Sequence, residues 1–555
     1  MARSVRLRPW QKRALDGLAR SGAPDFLAVA TPGAGKTTFA LCAAVHDLAA
    51  SPGRRVVVVA PTSHLKVQWA DAAAGLGLHL EPRWTPSGGR LPADVHGIVT
   101  TYQQVASNPD ALRPLAALAL VILDEIHHAG DDRAWGDAVR RAFEIAPRRL
   151  SLSGTPFRSD TRSIPFVRYV GDEAVPDFEY GYSHALTDGR VVRPVYFPRI
   201  NGFMEWIAPD GQAHAAAFDD PLDRARAAQR LRTALSLDGE WPPTVLLQAN
   251  ERLTALRRHQ PDAGGLVVAT DQEHAQGIAG LLRSRCGVRA TVAVSDDPLS
   301  STRIARFAAS SDPWIVAVRM VSEGVDIPRL RVGVYATTTT TELFFRQAVG
   351  RFVRWTRGVP RQKAYLFIPD DLRLRTWATQ IADARRHSLR RPDRTGDERR
   401  EDEAALDALV HPDDAGDQLS MFAALSAVVT GSDESSVFDV DEAALDHLDR
   451  LDRIEAGGGG DAALELSLPP LPGGLRNGAP PGGNGGPPPD PRQERSRLRE
   501  HNAKLVQDLV WATGMGHAQV NGQLNRSVGL RRIDEATVDQ LRRRAQQAER
   551  WLATL

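Results

Sequence analysis

The chain reads as an α/β protein: two parallel-sheet domains in tandem, then a helical module beyond a Gly/Pro-rich linker. Three observations predict this. Short apolar runs alternate with helix-favouring segments through residue 195, and the alternation resumes from residue 266 to residue 368. Such runs, apolar without a break, mark strands buried on both faces, as parallel sheets require. Residues 457–490, GGGGDAALELSLPPLPGGLRNGAPPGGNGGPPPD, are too rich in Gly and Pro to bury a core.

Taken in order, the first domain (1–195) has strand-like runs at 26–30, 56–60, 98–101, 120–123 and 150–153. A partly helical connecting region (196–263) follows, helical at 223–237 and 246–259. The second domain (264–384) has runs at 266–270, 290–294, 314–318, 332–336 and 364–368. Residues 385–456 form an acidic appendage, helical or partly disordered, with a net charge of −14 over 401–455. The linker spans 457–492. The last unit, 493–555, is predicted to fold as three amphipathic helices, built on Leu505, Leu509 and Val510, then Val520 and Leu524, then Val538, Leu541 and Leu552.

Chemistry enters at FLAVATPGAGKTT, residues 26–38. An apolar run leads into a Gly-rich turn and then a helix-favouring segment, the order a phosphate-binding loop needs. Gly33 and Gly35 supply backbone angles closed to other residues, among Thr31, Pro32 and Ala34. Lys36 is placed to reach the β/γ-phosphates of ATP and Thr37 to ligate Mg2+, with Thr38 beside them among the nucleotide-binding residues. Ala30 stands where the usual pattern has its first Gly.

The stretch VILDEIHHAG, residues 121–130, ends another apolar run with two acids and two histidines. Zinc is one reading. Adjacent histidines diverge, however, whereas helical zinc sites space theirs four apart. Acids at the C-terminal edge of a parallel strand sit where open α/β sheets bind ligands. Asp124 is therefore assigned to Mg2+, directly or through water. Glu125 is assigned to orienting and deprotonating the water that attacks the γ-phosphate. His127 is read as a relay to a neighbouring loop and His128 as a local polar contact.

Composition excludes other classes. Two cysteines in 555 residues rule out a disulfide scaffold and fit a reducing cytoplasm. No apolar run approaches the ~18 residues of a membrane span. A formal charge of +1 argues neither for nor against nucleic acid.

The order of motifs over residues 5–370 resembles the superfamily 2 helicases of DEAD/DEAH type. LRPWQ (7–11) resembles the adenine-recognition segment and ATPGAGKTT the phosphate loop. APTSHL (60–65), TTYQQV (100–105) and VVATDQEHA (267–275) resemble elements that touch a nucleic-acid backbone or open the second domain. DEIHH is the acidic box. SLSGTPFR (151–158) resembles the coupling element, and VRMVSEGVDIP (318–328) and RQAVGRFVR (346–354) the last two motifs. The resemblance implies two RecA-like domains sharing one ATP site, with Arg8, Gln11, Gly324 and Asp326 near the nucleotide. It implies Arg351 and Arg354 reaching the γ-phosphate from the second domain with Gln347 beside them among the catalytic residues, Ser153 and Thr155 coupling hydrolysis to movement with His127, and Thr62, Thr101 and Thr270 on phosphates of a single strand. The DEIH box and Gln347 are more similar to restriction-motor and excision-repair branches, which favours DNA over RNA. A nucleic-acid-stimulated ATPase switch and the motor subunit of a restriction or phage-defence complex are the other readings. The C-terminal module, with a net charge of +5 over 492–555, reads equally as a DNA reader using Asn521, Gln523, Asn525, Arg526, Arg531 and Arg532 or as a partner-docking unit.

Overall fold

A computed structural model describes residues 3–85, 91–131, 133–154, 164–170, 173–208, 211–294, 300–318, 327–356, 358–359, 362–389, 423–432, 464–471 and 491–554. The protein is of mixed α/β type: among the described residues there are two large sheets, two two-stranded ones and a helical C-terminal region. The first sheet has seven strands in the order Phe178–Tyr180, Asp25–Ala30, Arg148–Ser153, Ala119–Leu123, Arg55–Ala60, Gly97–Thr101 and Leu80–Glu81. Every pairing in it is parallel. The apolar runs are buried from end to end: all five residues of Ala119–Leu123 are inaccessible, as are five of six in Asp25–Ala30 and Arg55–Ala60. Arg148–Ser153 lies between the strands that lead to Gly33 and to Asp124, so three strand ends meet at one edge.

The second sheet is parallel at its centre, in the order Ala364–Pro369, Leu330–Ala336, Gly264–Ala269, Trp314–Val318 and Ala290–Ala293. The segment between the domains extends it. Val195–Tyr196 and Arg199–Ile207 pair with Ala364–Pro369, and Ala213–Ala217 and Ala423–Ser432 flank Arg199–Ile207 antiparallel. Helices Arg224–Ala234 and Trp241–Arg257 pack into the same core through Leu231, Trp241, Val245 and Leu253. Residues 196–263 thus share the second domain's core, and the strand Ala423–Ser432 lies inside the stretch whose composition suggested helix or disorder.

Within the Gly/Pro-rich stretch, Leu464–Leu468 forms a strand antiparallel to Arg3–Leu7, just ahead of Arg8. The last unit is three helices, Pro491–Thr513, His517–Ser527 and Val538–Ala553. Leu505, Leu509, Val520, Leu524 and Ala548 form its core. Buried Arg544 donates to the side-chain oxygens of Asn502, Asn521 and Asn525, so these asparagines face inward rather than toward a ligand. Asp94 of the first domain receives this unit: its carboxylate lies 2.7 Å from Arg495 and accepts from Val538 N at 3.0 Å.

Candidate nucleotide site in the interdomain cleft

Strand Asp25–Ala30 ends in a turn whose Ala34 N–H donates to Thr31 O at 3.1 Å. Gly33 and Gly35 have φ of 82° and 94°, in the left-handed region where a side chain would be strained. Gly35 caps helix Lys36–Ala50, whose unpaired N-terminal N–H groups and dipole favour an anion. The preceding segment clamps the turn from outside. Arg8 donates to Gly33 O and Ala34 O at 2.9 and 2.7 Å, Trp10 Nε1 to Ala34 O at 3.1 Å and Gln11 Nε2 to Gly35 O at 2.9 Å. Trp10 in turn stacks on Tyr180, with ring centroids 5.1 Å apart.

At the neighbouring strand end, Lys36 Nζ lies 2.8 Å from Glu125 Oε1, and Gly154 N–H donates to Glu125 Oε2 at 2.9 Å. Glu125 has φ of 47°. Asp124 Oδ2 accepts from Trp69 Nε1 at 2.8 Å, and Asp124 O from the Tyr102 hydroxyl at 2.9 Å. These surroundings push the two acids apart. Burial, then the charge of Glu125 beside it, raises the Asp124 carboxyl well above the usual carboxylate range. Burial acts on Glu125 in the same direction, but Lys36, His127 and the Gly154 N–H outweigh it and hold its carboxyl below that range. Glu125 is thus firmly ionised. Thr37 and Asp124 line the same cleft. Two hard oxygen donors, with phosphates and water completing the shell, suit magnesium.

The second domain closes the cleft. Gln347 Nε2 lies 2.9 Å from His127 Nε2, so the predicted relay histidine reaches across to the other domain. Gly350, Arg351 and Arg354 line the cleft opposite Gly33, Lys36 and Glu125. A Cβ on Gly350 would fall 2.7 Å from Pro32 Cγ, and one on Gly33 3.2 Å from Arg354 Cδ, so the domains touch at the phosphate loop. Arg193, fully buried just ahead of the connecting region, donates to Leu330 O, Pro328 O and Thr356 Oγ1, and its neighbour Val192 pairs with Arg354. Burial lowers its pKa to about 9.

The remaining predicted residues lie around this centre. Thr38 is in the first turn of helix Lys36–Ala50 and Ser153 is buried at its strand end. Thr62 and Thr101 cap helices Ser63–Gly75 and Tyr102–Ser107, accepting from Leu65 N and Gln104 N. The Thr270 hydroxyl donates to Ala336 O at 3.4 Å. Thr155, Gly324 and Asp326 lie outside the described residues. Sequence reasoning missed Trp69, Tyr102, Gly154, Arg193 and Gly350. A signal existed for two of them: Trp69 lies seven residues after Thr62, hence on the same helix face, and Tyr102 directly follows Thr101.

Residues 8–164 match the family described as DEAD/DEAH box helicase. This chain carries a helicase domain of that family. The family is one of ATP-hydrolysing enzymes, and the helicase domain contains the phosphate loop, the acidic box and both capping threonines of the first sheet. The chain is 49% identical over 395 residues to the uncharacterized protein Rv2917 of Mycobacterium tuberculosis, covering 70% of this chain and 65% of the relative. It is 48% identical over 395 residues to ML1624 of Mycobacterium leprae, covering 70% and 66%. The match therefore spans just under two thirds of these relatives' length. Remote structural likenesses include the helicase Lhr of Mycobacterium smegmatis, bound to ssDNA and AMP-PNP (TM-score 0.43, 16% identity, 69% of this chain and 48% of that one). Another is the Type ISP restriction-modification enzyme LlaBIII bound to DNA (TM-score 0.46, 14% identity, 96% and 37%). Among the described residues no helix is long and apolar enough to cross a membrane.

Proposed function

We propose that this chain is an ATP-driven motor that moves along or unwinds nucleic acid, preferring DNA, with a single strand lying across both domains. The observation that carries the reading is one cleft lined by Lys36, Asp124 and Glu125 from one domain and by Gln347, Arg351 and Arg354 from the other. Lys36 offsets charge on the β/γ-phosphates of ATP, and Glu125 takes the proton of the attacking water. Thr37 and Asp124 would hold magnesium, which would supply charge neutralisation at the phosphates. Arg351 and Arg354 offset the charge that develops on the γ-phosphate, an effect of ~10³–10⁵ in rate for an arginine so placed. They act only with the cleft shut, so hydrolysis is tied to domain distance, and the His127–Gln347 contact forms with closure. Thr62, Thr101 and Thr270 bind phosphates, which positions a strand without reading its sequence. The preference for DNA rests on the DEIH box and on Gln347.

ATP turnover measured alone and with single-stranded DNA, duplex DNA and RNA, beside a strand-displacement assay, tests the reading. DNA is expected to stimulate most, and Lys36→Ala and Arg351→Ala to abolish the stimulated rate. Equal turnover in all four conditions sinks it. Stimulation with neither displacement nor translocation favours the ATPase switch.

A further inference from the structure

We infer that Trp69 is a positioning residue for Asp124, linking nucleic-acid contact at Thr62 to the carboxylate that holds the metal. The inference rests on the function proposed above. Two buried donors converge on Asp124 from different elements. Trp69, 2% exposed, gives its indole N–H to Oδ2 at 2.8 Å, and Tyr102, fully buried, gives its hydroxyl to the main-chain oxygen at 2.9 Å. An indole has one N–H, so this donor is wholly committed to the carboxylate. By fixing Oδ2 it fixes the rotation of the carboxyl, and with it the direction in which Oδ1 points.

Both donors stand on helices that begin at a candidate strand-contact threonine. Thr62 caps Ser63–Gly75, which carries Trp69 about two turns on, and Thr101 caps Tyr102–Ser107, whose first residue is Tyr102. A helix transmits displacement of its capped end along its length. A strand that settles on the two threonines therefore shifts or locks both donors, and Asp124 is where the two paths meet. A tryptophan that merely fills the core needs some acceptor for its N–H. Satisfying it with the carboxylate of the acidic box that would hold the metal goes further than packing requires.

The test uses the full chain and W69F, which removes the N–H and keeps an apolar ring, with Y102F as a second variant. The first readout needs neither turnover nor nucleic acid: the Mg2+ concentration that half-maximally strengthens binding of a fluorescent, non-hydrolysable ATP analogue. The titration is run at a temperature where circular dichroism shows parent and variant fully folded, so that a lowered folded fraction does not raise the midpoint. W69F is expected to raise it about 10- to 100-fold, the range seen when a residue orienting a metal ligand is removed. The second readout is the ratio of ATP turnover with and without single-stranded DNA, which is expected to fall toward one in both variants. An unchanged Mg2+ midpoint in W69F, whatever its melting temperature, reduces Trp69 to a core residue and overturns the inference. A raised midpoint with undiminished DNA stimulation overturns the link to Thr62. Failure of Lys36→Ala to stop turnover would instead defeat the proposed function, and the metal titration reads separately from it.

Discussion

At the residue scale, Glu125 pays for its position with a backbone that side chains avoid. A φ of 47° outside glycine costs on the order of 1–3 kcal/mol, and such strain persists only where the surroundings over-determine it. Lys36 and the Gly154 N–H grip the two carboxylate oxygens separately, which aims the group while keeping it ionised. Glu125→Gln preserves the shape and removes the proposed base. Single-turnover hydrolysis is expected to slow by roughly 10²–10⁴ with nucleotide affinity retained, and a near-normal rate would remove Glu125 from the chemistry. A second residue sets a pH limit on the second domain. His274 accepts from Thr270 N at 3.2 Å on Nδ1 and lies 3.0 Å from Leu235 O on Nε2, a pairing that only the neutral ring with its proton on Nε2 satisfies. Burial, against the pull of Asp271 and Leu235 O, lowers its pKa. The unfolded chain binds a proton that the native state refuses. This contribution is complete above about pH 6.5 and is lost as pH falls from there toward the lowered native value. Urea unfolding at pH 7.5 and 5.5 should show a smaller loss on acidification in His274→Gln than in the parent, and parallel losses would contradict the assignment.

Among elements, the strand Leu330–Ala336 bears on the arginine loop through a position that has no side chain. A Cβ at Gly333 would collide with the ring of Phe352 and come within 2.6 Å of Leu366 Cδ1. Phe352 sits directly after Arg351 and is fully buried. Gly333→Ala must therefore shift the Phe352 ring or the Leu366 side chain, and Phe352 belongs to the loop that carries both arginines. A destabilisation of about 1–3 kcal/mol is expected from overpacking, together with loss of turnover in the fraction that stays folded; calorimetry and a rate per folded molecule separate the two. Elements also divide by how openly the sequence declares them. The strands 26–30 and 120–123 were legible because a strand buried on both faces is written as an unbroken apolar run. The phosphate loop was legible because its two left-handed positions require glycine. Leu464–Leu468 was not: its partner, Arg3–Leu7, lies at the opposite end of the chain, and strand pairing is a tertiary choice that local propensity barely registers. Ala423–Ser432 was hidden in the same way, since the charge of its neighbours dominated the composition of the region. Trp69 and Tyr102 carry no chemistry of their own, and their bearing on Asp124 exists only once the first sheet has brought three segments to one edge.

For the whole molecule, the proposed ATP site is a question of how closely two domains approach, and that approach has a measurable weak point. Helix Glu342–Gly350 ends against the phosphate loop, where Gly350 lets the second domain come down on Pro32. A methyl there would sit 2.7 Å from Pro32 Cγ and 3.1 Å from its Cβ, both on a stiff ring that cannot swing aside. Alanine suits a helix better than glycine by up to about 1 kcal/mol, so Gly350→Ala should leave the second domain as stable as before or slightly more so. What it should spoil is closure. Either the domains stay apart by a fraction of an ångström or more, or the loop with Arg351 and Arg354 rolls away from Gly33. Misplacing a catalytic group by about 1 Å can cost on the order of 10²-fold in rate. The expected signature is thus a roughly hundredfold fall in kcat with nucleotide binding to the Lys36 side intact and an unchanged or raised melting temperature. That combination separates a closure defect from a folding defect. If instead Gly350→Ala turned over at the parent rate, the contact at Pro32 would not be the one that shuts the cleft, and the arginines would have to reach the γ-phosphate from some other domain arrangement.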